Sequence, residues 1–428
     1  MRHIYSLITY LLLPFVLLKL CWAGLRNPEY RYRWPERFGL ITPIHGKPVI
    51  WIHAVSVGEV QAAVPLINRL LKGYPEYSLV VTTTTPTGAH TVKQRFGQTV
   101  IHYYLPYDMA WAVKRFLTRL EPSMLIIMET EIWPNLLHYT DQAGVPVLLV
   151  NARMSARSAA GYSRFPRFIR QTLAHISLIA AQSHEDARRL IELGAAKERT
   201  LVTGNLKFDI KLPASIREQA EVMRRSLTAV NRPVWIAAST HEGEEKLVLD
   251  AFAQVLRQSP DCLLLLAPRH PERCERVAEL CRRRGYTMVR RSEGAAVMTD
   301  MSVYLIDTMG ELSVCYAAAD IAFIGGSLVP IGGHNMLEAA SLGLPILTGP
   351  HFFNFAEVTD MLCRAGAAWV VDEQAALASH VVMLLEDANL RYKAGQSGCE
   401  IVQSHAGGAD ELMFLLHDQL QAAAAAWE

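Results

Sequence analysis

The carboxylate of Glu59 lies where it could exchange a proton with a ligand. The residue follows the apolar run 49–55, which predicts a buried strand, and precedes an amphipathic stretch, which predicts a helix. In parallel sheets, ligands bind beyond the carboxyl ends of the strands, so a carboxylate there can act as a general base. The alternative is that Glu59 only complements the dipole of its helix, and the local sequence does not decide between the two.

Three more charged residues follow strand-like runs in the first half of the chain. Glu129 and Glu131 come directly after the run 124–128, and neighbouring acids of this kind often divide between a site and a helix cap. Lys207 follows a glycine turn at Gly204, where it could meet an anion or simply be solvated. These residues are further candidates for a site at the ends of the strands.

The second half of the chain contains a pattern typical of nucleotide binding. Gly325 and Gly326 follow a strand-like run, and residues 332–338 then read GGHNMLE. Paired glycines let the backbone approach a ligand, and the next helix offers its N-terminus to a phosphate. Glu338 could bind the two hydroxyl groups of a ribose. Tight turns are the alternative for the glycines, but their spacing from Asn335 and Glu338 favours a nucleotide site.

Two other loops of the second half also follow strand-like runs. Arg269, after Pro268, carries a planar guanidinium group that can bind a phosphate or a carboxylate with two hydrogen bonds, although a solvated arginine is the alternative. Residues 307–311 form the second loop. No P-loop or dinucleotide fingerprint appears where a strand meets a helix, which disfavours kinases and dehydrogenases.

The elements that must position these residues alternate along the whole chain. Strand-like runs separated by helical stretches predict parallel sheets with helices on both faces. The runs are 49–55, 79–83, 124–128, 145–150, 178–181 and 201–203 in the first half, and 234–238, 263–266, 303–306, 321–324, 345–347 and 369–371 in the second.

A length of 428 residues is ample for two α/β domains. The polar stretch 211–233, which contains Pro213 and Pro233, is the expected interdomain linker. We therefore expect a first domain over 25–210 and a second over 234–428, facing each other across a cleft. An alanine run near the end of the chain favours helix but is otherwise uninformative.

Residues 1–24 form an apolar segment in which Lys19 is the only charge between Ile4 and Ala23. A helix of about 20 residues is about 30 Å long, which is enough to span or embed in a bilayer. No clear cleavage site follows, so a retained anchor is expected. The next residues interleave cations with aromatic rings, a composition typical of a membrane interface on the cytoplasmic side, although the arginines could merely solvate a short helix. They are Arg26, Arg31, Arg33 and Arg37 with Tyr30, Tyr32, Trp34 and Phe38.

The net charge and the cysteine content disfavour several other classes of protein. A net charge of +1 disfavours a nucleic-acid partner. The seven cysteines include no CxxC pair, which disfavours a zinc ribbon or a redox dithiol, and their odd number favours reduced thiols in the cytosol.

The motifs, taken in order, resemble the Kdo transferases, glycosyltransferases that move 3-deoxy-D-manno-octulosonic acid (Kdo) from CMP-Kdo to lipid A precursors in lipopolysaccharide inner-core synthesis. The resemblance runs through nearly the whole chain, including the apolar segment. The matching segments are 53–59, Thr84 with 86–88, 128–135, 151–158, 204–209, 239–244, 268–272, 307–312 and 332–339.

This resemblance implies a GT-B fold, in which two Rossmann-like domains face a central cleft, the first binding the acceptor and the second the donor. It implies that Glu59 is the general base and that Glu129 and Lys207 stabilise the transition state. It also implies that the CMP contacts come from three loops. Their residues are Pro268, Arg269, Met309, Gly310, Glu311, Asn335, Met336, Leu337 and Glu338.

The implied reaction is a single displacement with inversion, in which lipid IVA receives more than one Kdo in succession. Lys207 and Arg269 would balance the negative charge of the leaving CMP. We expect no cofactor and no metal ion, because carboxylates and histidines at ligand spacing are lacking. The expected partners are CMP-Kdo, a lipid A precursor and the lipid surface of the bacterial inner membrane, on its cytoplasmic face.

Two other classes of protein could share the two-domain fold. A soluble nucleotide-sugar epimerase or hydrolase would have no use for the apolar N-terminal segment. A non-catalytic protein that closes on a small ligand would not need a carboxylate at the end of a strand.

Overall fold

Helices and strands alternate along the chain and form two units, each built around a parallel sheet. The structure, a computed structural model, describes residues 1–26, 28–210, 212–227, 232–294 and 301–425. One unit comprises Met1–Asp209 and His405–Glu428, and the other comprises Ile210–Ser404.

The first unit has seven strands in the order β3-β2-β1-β4-β5-β6-β7. These strands are β1 (Val49–His53), β2 (Ser78–Thr83), β3 (Ile101–Tyr104), β4 (Pro122–Met128), β5 (Val147–Ala152), β6 (Leu178–Ala181) and β7 (Thr200–Val202). Its helices are α1 (Arg2–Arg26), α2 (Val57–Gly73), α3 (Pro86–Phe96), α4 (Ala110–Leu120), α5 (Pro134–Gln142), α6 (Ala156–Tyr162), α7 (Pro166–Leu173) and α8 (His184–Glu192), with one more from the end of the chain.

The strand β1 lies at the centre of this sheet and is buried on both faces. It pairs in parallel with β2 and β4, so that Trp51 lies opposite Val80 on one side and Leu125 on the other. Because side chains alternate along a strand, Trp51 packs with Phe116 in one layer and Ile52 packs in the opposite layer. The carboxyl end of β1, which leads to Glu59, is therefore fixed from both faces of the sheet.

The second unit repeats this architecture with the strand order β10-β11-β9-β8-β12-β13-β14. The strands are β8 (Val234–Thr240), β9 (Leu263–Pro268), β10 (Met288–Arg290), β11 (Val303–Leu305), β12 (Ile321–Ile324), β13 (Ile346–Thr348) and β14 (Ala368–Val370). The helices are α9 (Ile216–Ser226), α10 (Glu244–Gln258), α11 (Cys274–Arg283), α12 (Leu312–Ala317), α13 (Leu337–Ser341), α14 (Ala356–Arg364), α15 (Gln374–Glu386) and α16 (Ala388–His405). The predicted pair of parallel α/β sheets is confirmed.

The end of the chain belongs to the first unit, and the expected second domain over 234–428 is corrected accordingly. Helix α17 (Gly408–Ala425) packs Leu412, Leu416 and Leu420 into the core layer that contains Ile52. The carboxylate of Asp209 accepts hydrogen bonds from the backbone N–H groups of Gly407 and Ala409, at 2.6 and 2.7 Å. Leucines four residues apart form one apolar face, and this face decides where the helix packs.

The stretch 211–233, expected to be a linker, contains helix α9 of the second unit. Ile216, Ala220 and Met223 are buried, and Arg224 donates two hydrogen bonds to the carboxylate of Asp320, at 3.0 and 2.8 Å. The stretch is polar because only one face of α9 is covered. The change from one unit to the other comes earlier than expected, after Asp209.

Helix α1 is long and apolar enough, by length and composition, to cross a membrane. Its less exposed positions recur at helical spacing over its whole length: Arg2, Tyr5, Ser6, Thr9, Leu13, Val16, Leu17, Leu20 and Gly24. Near its start, Arg2 donates to the hydroxyl of Tyr139, and Tyr5 donates to the carboxylate of Asp108, both at 2.9 Å. One stripe of α1 is therefore covered and the opposite face is exposed.

Arginines that follow α1 have partners within the first unit. Arg37 is buried, donates to the backbone oxygen of Thr84 at 2.9 Å and lies over the ring of Tyr104. Arg33 pairs with Glu36 at 2.7 Å. These arginines hold the segment after α1 against the first unit, because each has found a partner within hydrogen-bonding reach.

Candidate active site

Glu59 lies in the first turn of α2, directly beyond the carboxyl end of β1. Ser56 caps this helix, and its hydroxyl oxygen accepts a hydrogen bond from the Glu59 N–H at 3.5 Å. The Glu59 carboxylate in turn accepts hydrogen bonds from the Val55 N–H at 2.8 Å and from the Ser56 hydroxyl at 3.2 Å. Only 8% of the residue is exposed, so the carboxylate is held in one orientation by its neighbours.

Burial raises the pKa of Glu59 to about 8. The hydrogen bond from Val55 lowers this pKa, and the negative charges of Glu131 and Glu129 raise it further. Loss of water around the carboxylate disfavours its ionised form more strongly than one N–H group favours it.

Glu129 and Lys207 form an ion pair at the same edge of the sheet. The Lys207 Nζ lies 3.3 Å from the Glu129 Oε1, and the two side chains are 20% and 18% exposed. Glu129 follows β4 and has φ of +57°, a left-handed conformation that costs a residue with a side chain free energy. The structure thus brings together the three residues predicted to be catalytic, Glu59, Glu129 and Lys207.

Buried amides position the backbone that carries Lys207. Asn151 Oδ1 accepts from the Leu206 N–H and Asn205 Oδ1 accepts from the Lys207 N–H, both at 3.0 Å. Gln182 links the two asparagines, since its Nε2 donates to the Asn151 backbone oxygen at 2.9 Å and its Oε1 accepts from Asn205 Nδ2 at 3.2 Å. No pattern in the sequence predicted a role for these amides. Their signal was that each lies at or just beyond the carboxyl end of a strand.

Neither Glu129 nor Glu131 caps the next helix, which corrects the expectation that one of them would. The carboxylate of Asp108 takes that place and accepts from the N–H groups of Asn135 and Leu136, at 3.0 and 2.7 Å. Glu131 accepts instead from the indole N–H of Trp133 at 2.7 Å. Burial raises the pKa of Glu131, and the charge of Glu129 adds to the rise.

In the second unit, a buried glutamate organises the glycine loop after β12. Glu244 is fully buried, and its carboxylate accepts from the N–H groups of Gly326, Ser327 and Leu328 at 2.7 to 2.9 Å. Gly325 packs so closely on β8 that a Cβ atom there would lie 2.6 Å from the Ser239 oxygen. The glycine pair therefore serves the packing of this loop, and the sequence analysis missed Glu244.

Arg269 lies beyond β9 within a group of uncharged histidines. Burial lowers the pKa of His334 to about 3, and the charge of Arg269 lowers it further. The Nε2 atoms of His334 and His241 lie 2.8 Å apart, so one donates a hydrogen and the other accepts it. Within this group, the positive charge is that of Arg269.

Glu338 and Arg269 both lie near Tyr316. Both residues affect Tyr316, whose pKa is raised first by burial and then by Glu338, and is lowered by Arg269. The Ser313 hydroxyl donates to the Glu338 carboxylate at 3.2 Å. Asn335 Oδ1 accepts from the Leu337 N–H at 3.0 Å, which fixes the turn before α13.

The other residues predicted to contact CMP differ in the chemical groups that they can present to a ligand. The side chains of Met336 and Leu337 are fully buried in the core, so only their backbone groups could face a ligand. The Glu311 carboxylate already accepts two hydrogen bonds from Arg291, at 3.0 and 2.8 Å. The side chain of Met309, by contrast, is exposed.

Pro268, Arg269, the loop with Gly310 and the residues 335–338 all follow strands of one parallel sheet. The carboxyl ends of these strands meet at one edge, where a ligand can contact several loops at once. Within the described ranges, no three histidine, cysteine, aspartate or glutamate side chains are grouped so that they could hold a metal ion.

Comparison with known proteins identifies the family. A family model described as 3-deoxy-D-manno-octulosonic-acid transferase (kdotransferase) matches residues 32–210. The 3-deoxy-D-manno-octulosonic acid transferase of Haemophilus influenzae is 40% identical over 426 residues, which is 98% of this chain and 99% of the relative. This chain belongs to the Kdo transferase family. The Bordetella pertussis member is 35% identical over 436 residues, covering 98% of this chain and 99% of its own.

The Kdo transferase fold also matches solved structures. The MurG protein of Acinetobacter baumannii aligns with a TM-score of 0.53 over 87% of this chain and 100% of its own, at 13% identity. At this identity the match shows the fold alone. The predicted GT-B fold and the predicted family are confirmed, and the chain is a glycosyltransferase that transfers Kdo. The alternatives of an epimerase, a hydrolase and a non-catalytic binding protein are set aside.

Proposed function

We propose that this Kdo transferase moves Kdo from CMP-Kdo to a hydroxyl group of lipid IVA, with inversion, and adds more than one Kdo in succession. The observation that carries this proposal is the buried carboxylate of Glu59 beside the Glu129–Lys207 pair, at the carboxyl edge of the first sheet. Such a carboxylate has no task in packing, and its raised pKa matches the work of a general base near neutral pH.

In the proposed step, the ionised Glu59 takes the proton of the acceptor hydroxyl. The acceptor oxygen forms a bond to the anomeric carbon of Kdo, and the bond from that carbon to the phosphate oxygen breaks. CMP leaves with the electron pair from the opposite face. A carboxylate with a pKa of about 8 is a stronger base than an exposed one, which favours this transfer.

Lys207 and Glu129 act together on the charge that develops in this step. The Lys207 ammonium is fixed by the Glu129 carboxylate at 3.3 Å and by the amides beneath its backbone, so it need not reorganise as the reaction proceeds. A preorganised cation of this kind contributes about 3 kcal/mol to lowering a barrier. We assign both residues to the stabilisation of the transition state.

The donor site is assigned to the second unit. Arg269 binds the phosphate or the Kdo carboxylate, and Glu338 binds the ribose hydroxyl groups. Pro268, Asn335 and the backbone of residues 309–311 and 336–337 surround the nucleotide. With Lys207 and Arg269 supplying positive charge, we propose that transfer requires no metal ion and no cofactor.

We further propose that the enzyme works at the cytoplasmic face of the bacterial inner membrane, anchored by α1. The outward face of this helix is a continuous apolar surface that includes Ile4, Leu7, Leu11, Phe15 and Leu18. Its start is hydrogen-bonded to Asp108 and Tyr139 of the first unit, which supports a helix that lies along the membrane surface.

The test of this function is the variant Glu59→Gln, which keeps the shape of the side chain and its hydrogen-bond acceptor. We expect transfer from CMP-Kdo to lipid IVA to fall about 1,000-fold, because loss of a general base costs about 10²- to 10⁴-fold. Binding of CMP by calorimetry should be unchanged. The exposed Glu76→Gln in the same unit is the matched control and should keep full activity. Turnover near the normal rate in Glu59→Gln would refute the assignment.

A further inference from the structure

An apolar cavity of about 400 Å³ lies beside the acidic residues of the first unit. Ile132 from the loop after β4 and Pro134 at the start of α5 contribute to its lining, together with Gly161 of α6, Phe165 of the following turn and Phe168 of α7. Its volume is within the range of pockets that hold small ligands, about 300 to 1,000 Å³. Its lining suits a hydrocarbon chain, because few polar groups face it.

The cavity is adjacent to the residues proposed to be catalytic. Ile132 directly follows Glu131, and Glu129 comes two residues before Glu131 on the same loop. Tyr162, which also lines the cavity, lies close enough to Glu131 that its pKa, raised mainly by burial, is raised further by that charge. A ligand in the cavity would therefore be held close to the loop that bears Glu129.

The cavity is also continuous with the apolar helix α1. The ring of Tyr5 packs against that of Phe168, with ring centroids 5.8 Å apart. Ser6 donates to Asn135 Oδ1 at 2.9 Å, so the first turns of α1 are fixed beside the cavity. The outward face of α1 next to this point is apolar, with Ile4, Leu7 and Ile8 exposed.

Positive charges lie next to the lining residues in sequence. Arg157 lies on α6, Arg164 in the turn after it and Arg167 on α7, and all three are exposed. In the described parts of the chain, none of the three guanidinium groups has a hydrogen bond or ion pair. Phe165, on the same turn, is 58% exposed. Free arginines next to the lining of an apolar cavity complement a ligand that joins phosphate groups to hydrocarbon.

We propose that this cavity binds one acyl chain of the lipid acceptor, while Arg157, Arg164 and Arg167 contact its phosphate groups. This proposal rests on the proposed function, because the acceptor is a phosphorylated glycolipid. The ligand class is thus an acylated sugar phosphate, held by its chain so that its hydroxyl group is presented to Glu59.

The variant Gly161→Leu tests the cavity without disturbing the fold. A Cβ atom at Gly161 meets no atom within 4 Å, and its backbone is helical, so a leucine side chain can occupy the cavity. Ala160→Leu is the matched control, because it adds the same bulk on the exposed side of α6. The assay compares transfer to tetra-acylated lipid IVA with transfer to its fully deacylated form.

We expect Gly161→Leu to lower the ratio of kcat/KM for the acylated acceptor to that for the deacylated acceptor by at least about tenfold, since several buried methylene groups lose their contacts. Ala160→Leu should keep the ratio of the unchanged enzyme. An unchanged ratio in Gly161→Leu overturns the proposal.

A binding measurement separates this proposal from the proposed function. Lipid IVA with brominated acyl chains should quench the fluorescence of Trp133, which lies between two lining residues, and the quenching should disappear in Trp133→Phe and in Gly161→Leu. If the unchanged enzyme shows this quenching but does not transfer Kdo to lipid IVA, the proposed function is refuted and the binding of an acyl chain in the cavity is not. Equal quenching of Trp133 by brominated phospholipid vesicles alone assigns the cavity to membrane lipid and overturns the acceptor assignment.

Discussion

The protonation of Glu59 is set by its surroundings. Burial raises its pKa from 4.5 to about 8, and this outweighs the hydrogen bond from Val55. A carboxyl group whose pKa is raised on folding stabilises the folded protein in its protonated form. That contribution is complete below about pH 4.5 and is lost as the pH rises through about 8. The ionised form of Glu59, which is the form proposed to accept a proton, therefore lowers the stability of the folded protein.

This pKa predicts the pH dependence of the enzyme. We expect kcat/KM for the acceptor to rise about tenfold per pH unit below pH 8 and to level off above it, because the free enzyme must first lose the Glu59 proton. Initial rates between pH 5.5 and 9.5 measure this profile. In urea unfolding, Glu59→Gln should gain stability relative to the unchanged enzyme between pH 6 and pH 9. A profile that levels off near pH 4.5 would contradict both the pKa and its cause.

The sequence predicted where Glu59, Glu129 and Lys207 lie along the chain, but not what holds them. Each residue follows a strand, and the local pattern of apolar residues predicts that strand. The amides that position Lys207 come from three separate strand ends, and only the pairing of β5, β6 and β7 brings Asn151, Gln182 and Asn205 together. The pKa of Glu59 depends on how many atoms displace water around it, which no local pattern records.

At the scale of elements, α17 connects the end of the chain to the core around β1. Leu416 is fully buried in that core, whereas Phe414, on the same helix, is 68% exposed. Helix α17 thus carries one large apolar residue that packs in the core, Leu416, and another that is exposed, Phe414.

We expect Leu416→Ala to lower the free energy of unfolding of the first unit by about 2 to 5 kcal/mol, through lost burial and the cavity left behind. Phe414→Ala should change it by less than about 0.5 kcal/mol. Urea denaturation followed by tryptophan fluorescence measures both variants. Equal losses in the two would show that α17 does not pack as described.

Central strands could be predicted, whereas one edge strand of each sheet, β3 and β10, could not. The opposite edge strands, β7 and β14, overlap the predicted runs 201–203 and 369–371. β1, β4, β8 and β9 are buried on both faces and appear as continuous apolar runs in the sequence. β3 and β10 lie at the edges of their sheets, are partly exposed and carry polar residues such as His102 and Arg290. For a related reason the sequence does not show that Arg37 turns inward.

At the scale of the whole molecule, α1 decides how the enzyme meets the membrane. Residues 2–6 are hydrogen-bonded to the first unit, which also contains Glu59 and the C-terminal helix. These contacts keep the first turns of α1 beside the first unit, so the helix cannot carry Met1 across the bilayer while they hold.

We expect a protease-sensitive tag before Met1 to be cut in inside-out membrane vesicles and protected in right-side-out ones. The same tag at the C-terminus is the control, because α17 packs in the unit that contains Glu59. Cleavage of the N-terminal tag from the outer side alone would show that α1 crosses the membrane.

The first unit is assembled from both ends of the chain, with the second unit inserted between them. Asp209 and Gly407 are hydrogen-bonded at 2.6 Å, so the insertion begins and ends at nearly the same point. During synthesis the second unit is complete before α17 is made, and domains fold as their chain emerges. The apolar α1 is therefore made before the second unit, whereas α17, which packs into the core layer that contains Ile52, is made after it.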